Sequence, residues 1–441
     1  QLAPAPLDAA AFQETRANAL DAGTGVYRQV HALMGLRLLT DEMDRPEAPG
    51  LQADLPPLSI PFEVREWAGQ AWRPGIVSGG IPLERGKLIS PDALRLRGPD
   101  GGALPFQFDV LRRDQRDGSV RCLWVTFPAS LAAGERARYT LESGATSAPQ
   151  GAPIASRVGE DVLIHTGALR ARLSGQRFSL FSEAQWAGDV FTAEGGGVRL
   201  ELLDGRVLTS RSAPTRLTLE RNGPLHAVVA IGGYLVPEDE RPAPRFRYEA
   251  RLRAWRGLPG MRVELAVTNL TPEPATPVRS LSLVVPLGLS RQAEAAIGRE
   301  ESAPFTAALE RGQILRLTQR RDPFGAGREN LLLESPNAVP AASTGRAAGW
   351  AQWKSGSHPP VLLAFGDMAD RHPSALEVRP EGMAAYLIPP TGVRAFDFPF
   401  GLTAYGEFWL GSGEPAPLVL DRLQRPPLLV PDPAQAAASG V

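Results

Sequence analysis

The chain has 441 residues, of which 43% are apolar and 22% charged, enough for two or three packed domains of ordinary soluble composition. A net charge of −1 and an isoelectric point of about 6.6 leave no basic footprint for nucleic acid or for an anionic membrane surface. The single cysteine, Cys122, excludes an internal disulfide, and no apolar run is long enough for a membrane-spanning helix.

Residues 1–60 read as a helical extension that runs into a Pro-rich linker. Asp8 is placed to cap a helix through Phe12, Arg16 and Leu20, which Gly23 and Gly25 break. Val26, Val30, Leu33, Met34 and Leu38 then recur at helical spacing. A helical hairpin over 8–44 is expected, and it offers a surface for a homo-oligomer or assembly partner. The chain opens on Gln1 without Met, as an exported protein (periplasmic, extracellular or cell-surface) does after signal-peptide removal.

From 61 to 150 the texture is β: short alternating runs such as Leu94–Arg97, Cys122–Phe127 and Arg138–Leu141, divided by turn signals at Pro99–Gly102 and Asp117-Gly118. Cys122, among Val120, Leu123 and Val125, reads as a buried structural thiol. A second β region over 151–425 has strands expected at 168–173, 198–203, 215–220, 225–234, 246–255, 261–268, 279–287, 313–318, 330–334, 361–365, 384–388 and 405–410. Alternation is cleanest in Arg247–Trp255, with one charged face. Residues 426–441 read as a Pro/Ala-rich tail resembling a linker. The fold class expected is mainly β, two antiparallel β domains in series behind a short helical hairpin.

The chemistry-bearing residues are sparse. His31, His165, His226, His358 and His372 are scattered, so no metal spacing and no cofactor is implied. Asp117-Gly118-Ser119 reads as a tight turn before a strand. Gly195–Gly197 lacks the surroundings of a phosphate loop. Of eight tryptophans, Trp124 and Trp409 read as core. Trp255, flanked by Arg253 and Arg256, and Trp353, beside Lys354 and near His358, are candidates for a carbohydrate-stacking surface. Asp367, Asp370, Arg371 and His372 form a polar loop after an apolar strand, placing Arg371 and His372 with that candidate set. Arginine outnumbers lysine 45 to two (Lys87 and Lys354). The plain reading is a coding bias; the sharper one is Arg kept for its bidentate grip on carboxylates.

Seven segments carry a family resemblance. Ser78-Gly79-Gly80-Ile81-Pro82-Leu83-Glu84-Arg85-Gly86, Leu104-Pro105-Phe106-Gln107 and Arg116–Val125 stand in order before Asn222-Gly223-Pro224-Leu225-His226-Ala227. Gly349-Trp350, Phe365–Met368 and His372–Glu377 follow. Together they resemble the exo-rhamnogalacturonan lyase and YetA-like family over roughly 70–430. The resemblance implies a small RIFT-type β barrel, a central β-sandwich and a setting of uronate-containing, acidic polysaccharide. It also implies a third, α/α-toroid domain that is expected to hold the catalytic cleft. Nothing here matches that domain, so no catalytic residue is carried over. The function expected is the non-catalytic β portion of an exported lyase-like protein. The alternative is a catalytically empty subunit of a surface appendage, cell envelope or virion.

Overall fold

The computed structural model describes residues 57–440 except 145–150, 187, 193–194, 213, 239–242, 289, 321–328, 337 and 391–394. The helical hairpin expected over 8–44, with the oligomer surface it would offer, lies outside the described residues. Every strand pairing described is antiparallel, and the chain forms the expected small β barrel followed by a large β-sandwich.

The barrel combines two sheets. Strands Leu428–Pro431, Ser59–Arg65, Arg136–Ser143, Leu94–Arg97 and Ala103–Leu104 neighbour one another in that order; Trp72–Pro82, Val120–Leu131 and Gln107–Arg113 make the second sheet. Period-2 alternation turns Ile60, Phe62 and Val64 inward. Phe62, Phe127 and Tyr139 meet at 5.0–5.9 Å in its centre. The tail is therefore not a linker. Leu428–Pro431 pairs with Ser59–Arg65, and Gly79 makes room for it, since a Cβ there would lie 2.6 Å from the Leu429 Cβ. A short helix, Pro433–Ser439, follows, capped by the Asp432 carboxylate. The first and third motifs of the barrel bind each other. Arg85 Nε donates to Asp117 (2.9 Å), and the Gly86 N–H donates to the Ser119 hydroxyl (3.0 Å). Burial opposes the charge on Asp117, but hydrogen bonds from Ser119 and Arg85 outweigh it and lower the pKa. Asp117-Gly118-Ser119 is thus the turn expected, with Gly118 at φ +70°. Cys122 is half-buried rather than a core thiol.

The sandwich has one contiguous core between two long sheets. One sheet runs Val236–Pro237, Val207–Thr209, Gly197–Leu202, Ala275–Pro286, Gly382–Ile388, Ser374–Arg379, Leu315–Gln319, Leu331–Glu334 and Ala341–Ser343; Phe396–Pro399 also pairs with Ala275–Pro286. The other runs Arg216–Asn222, His226–Tyr234, Phe246–Trp255, Gly260–Asn269, Thr403–Ser412, Val361–Phe365, Ala347–Lys354, Gln292–Arg299 and Phe305–Glu310. In Phe246–Trp255 the alternation is strict: Phe246, Tyr248, Ala250, Leu252 and Ala254 are buried, with the charged residues outward. Those outward charges pair across strands, Arg251 with Glu220 (2.9 Å) and Arg253 with Glu264 (2.6 Å). Among the described residues no helix is long and apolar enough to cross a membrane.

Barrel and sandwich are joined at buried Gln107. Its Oε1 accepts from the backbone N–H of Leu225 (3.2 Å) and His226 (3.0 Å), and its Nε2 donates to the His226 carbonyl (3.1 Å). Gly223 leaves the space the carboxamide needs; a Cβ there would lie 2.3 Å from the Gln107 Cδ. The second and fourth motifs of the sequence are therefore the two halves of one contact. Trp124, expected in the core, is half-buried at this junction, with the Arg221 guanidinium 5.2 Å from its ring. A second clamp lies on helix Ala416–Gln424. Arg422 inserts between Trp72 of the barrel (5.6 Å) and Trp409 of the sandwich (5.5 Å) and pairs with Glu414 at 2.6 Å.

Two outcomes follow from this junction. Gly223→Ala and Gln107→Ala each lose the three-bond contact and lower the unfolding free energy by about 2–4 kcal/mol. Their effects in the double variant fall well short of additive, as urea denaturation of the four proteins will show. Strict additivity would mean that the two sites do not share one contact. The other outcome concerns His226, whose ring is buried and stacked on Trp255 at 5.2 Å. Burial, then repulsion by Arg253 and Arg221, lowers its pKa to about 3. The unfolded chain takes up that proton near pH 6.5 and the folded one does not. Stability is therefore full above about pH 6.5 and falls as the pH drops toward 3. His226→Leu should flatten this part of the profile; an unchanged slope in urea titrations between pH 7 and 4 would locate the titrating group elsewhere.

Candidate functional site

The residues singled out from the sequence do not form one site. Trp353 is 1% exposed, its indole N–H bonded to the Pro380 carbonyl at 3.0 Å, so it is core and not a stacking surface. The correction has a simple cause: Trp353 occupies an inward position of an alternating strand, where its neighbour Lys354 points out and pairs with Glu294 at 3.2 Å. His358 Nδ1 lies 3.0 Å from Asp189, with its ring 5.7 Å from the buried Phe191. Trp255 is half-buried between His226 and Trp409, in the satellite core under helix Ala416–Gln424. Arg371 and His372 stay together in their loop. Arg371 lies over the Tyr405 ring (5.3 Å) and donates to the Tyr405 carbonyl (3.3 Å), while His372 Nδ1 lies 3.4 Å from the Ala369 carbonyl. Trp409 is buried, as expected.

The structure instead gathers a polar groove of about 480 Å³ on the outer face of the sheet centred on Ala275–Pro286 and Gly382–Ile388. Cross-strand register explains its floor. Arg199, Ser282 and Tyr386 are successive partners across three strands, and Val284, Ala384, Glu377 and Arg316 form the adjacent row. All point away from the main core, because their strand neighbours Leu200, Leu283, Ala385, Leu376 and Leu317 point into it. Small residues keep the middle low: Ser280, Ser282, Ala384 and Gly196 line it. At Gly196 a Cβ would lie 2.7 Å from the Ser179 carbonyl, so no larger residue fits that end.

Charges are concentrated on one side. Glu377 is 1% exposed, yet its carboxylate is fully engaged. Oε2 accepts from Arg316 Nη1 (3.0 Å) and from the Tyr386 hydroxyl (3.3 Å), and Oε1 accepts from Arg379 Nε (2.5 Å). Arg316 also grips Glu334 with two nitrogens at 2.5 and 2.6 Å. Burial opposes the charge on Arg316 and Arg379, but the neighbouring carboxylates outweigh it and raise both pKa values. Burial, reinforced by Glu377, pushes the Tyr386 phenol up to about 12, so it stays protonated at neutral pH. Arg379 keeps 53% of its side chain open. Arg199 lines the floor and has no ion pair among the described residues, Glu201 is tied to Arg279 at 3.4 Å, and Glu381 stands on the rim.

This arrangement suits recognition more than proton transfer. Neither Glu377 nor Tyr386 is a free base, whereas Arg199, Arg379 and the two serine hydroxyls present donors to an anionic, hydroxyl-rich ligand. None of these residues was singled out from the sequence, although Glu377 closes the His372–Glu377 segment. The available signal was its position. Ser374–Arg379 is an apolar strand, and a carboxylate inside such a strand needs a buried partner.

No known protein-family profile matches the sequence, and no curated protein does. Among the solved structures that match, two from Enterococcus faecalis superpose over most of this chain. An α-mannosidase from Enterococcus faecalis V583 superposes with a TM-score of 0.50 at 13% identity, covering 92% of this chain and 48% of its own. A protein in glycosyl hydrolase family 38 from Enterococcus faecalis gives 0.54 at 12% identity, covering 92% and 51%. This chain thus spans about half the length of either, and at such identity the likeness is one of fold.

Removing the buried carboxylate leaves Arg316 with Glu334 alone and takes the anchoring carboxylate from Arg379. Glu377→Ala should lower the unfolding free energy by about 3–5 kcal/mol in urea denaturation. A loss below about 1 kcal/mol would mean that water reaches the pair.

Proposed function

We propose that this chain is the β portion of a polysaccharide-lyase-like protein and that it binds acidic, uronate-containing glycan along the groove on the outer face of the Ala275–Pro286 sheet. The observation that carries the reading is the groove lining itself, where Arg199 and Arg379 share one groove with Ser280 and Ser282. Guanidinium forks match carboxylates, and hydroxyls match sugar hydroxyls. Two further points support it. The segments that resemble the exo-rhamnogalacturonan lyase family contact one another, Arg85 with Asp117 and Gln107 with the chain at Gly223 and His226. The fold is that of solved proteins described as an α-mannosidase and a family 38 glycosyl hydrolase. With Glu377 and Tyr386 engaged, cleavage is left to the α/α-toroid domain that the resemblance implies.

The test is titration calorimetry with oligogalacturonates and, separately, with neutral mannose oligosaccharides. Saturable binding of the acidic series alone is expected. It should weaken about tenfold in Arg199→Ala, as loss of one charge-assisted bond predicts, and should weaken with added salt. Equal binding of the neutral series, or none of either, overturns the reading.

A further inference from the structure

We infer that Arg379, held in place by Glu377, is the residue by which the groove selects a carboxylated glycan over its neutral counterpart; this rests on the groove being the glycan site. The groove's other cations are less suited. Arg316 spends two nitrogens on Glu334 and a third on Glu377. Arg211 donates to the Gly195 carbonyl and lies 3.8 Å from Glu238. Arg199 has no anchoring carboxylate among the described residues, so ordering its long side chain on a ligand costs rotamer freedom.

Arg379 combines the two properties that selection needs. Its Nε is fixed at 2.5 Å on a carboxylate that is itself 1% exposed, and half of its side chain remains open. A guanidinium anchored in this way meets a ligand carboxylate with little further ordering, which turns charge into discrimination. Glu377 is the positioning residue. Arg316 and Tyr386 hold its second oxygen, so its orientation is set from the far side of the pair.

The experiment compares an oligogalacturonate with the same oligomer after carboxyl reduction, by calorimetry, on wild type, Arg379→Lys, Arg379→Ala and Glu377→Asp. Thermal melts run alongside. Wild type should prefer the acidic form. Arg379→Lys keeps the charge and loses the fork; it should bind the acidic oligomer about tenfold more weakly and the reduced one unchanged. Arg379→Ala should abolish the preference. Glu377→Asp, which shortens the anchor by one carbon, should reduce the preference without removing it. A purely structural role would instead weaken both oligomers together. If the Glu377 variant fails to fold, the two exposed Arg379 variants decide alone. Retained preference in Arg379→Ala overturns the inference and leaves the glycan reading standing. Failure of wild type to bind either oligomer overturns both.

Discussion

A buried carboxamide joins the barrel of this protein to its sandwich. Gln107 leaves the barrel and satisfies three backbone groups at Leu225 and His226, at the start of an inner strand of the sandwich. Backbone donors and acceptors at a strand entrance have to be matched when water is excluded, and here a side chain from another domain matches them. Gly223 is a condition of the contact, since any Cβ would occupy the carboxamide's place. Arg422, between Trp72 and Trp409, ties the same two domains from a second direction. The strand Leu428–Pro431 returns to the barrel and places both ends of the described chain in one sheet.

With the barrel fixed, the two outer faces of the sandwich have different fates. On the Phe246–Trp255 sheet, arginines and glutamates alternate across strands and neutralise one another, Arg251 on Glu220 and Arg253 on Glu264. Partly solvated pairs of this kind contribute little stability each and mainly keep the face soluble. On the opposite sheet the same residue types sit deeper. Glu377 is nearly inaccessible, and two guanidiniums and a phenol surround its carboxylate. A desolvated network is costly to break and orients its members strongly. Small residues beside it leave a groove, and the half-exposed Arg379 is part of its lining. Pairing on one face yields a flat surface; pairing beneath small residues on the other leaves a groove.

Strand positions were legible because alternation is local. Phe246–Trp255 shows its two faces in the order of its letters. Trp353 shows the limit: beside Lys354 it suggested a surface, yet the register of its strand turns it inward. The tail was misread for a related reason. Leu428–Pro431 is only four residues long between prolines, and the partner that makes it a strand lies more than 350 residues earlier in the sequence, at Ser59–Arg65.

The sequence by itself determined the β class, the turn at Asp117–Ser119 and the inner and outer faces of the long strands. Each follows from spacing within a few residues, where side-chain periodicity and turn chemistry act. Only the tertiary structure decided the site. Arg199, Ser282, Glu377, Arg379 and Tyr386 come from four strands, and which of them meet depends on strand order and register. Those depend on the packing of a whole core, which no short stretch of sequence contains.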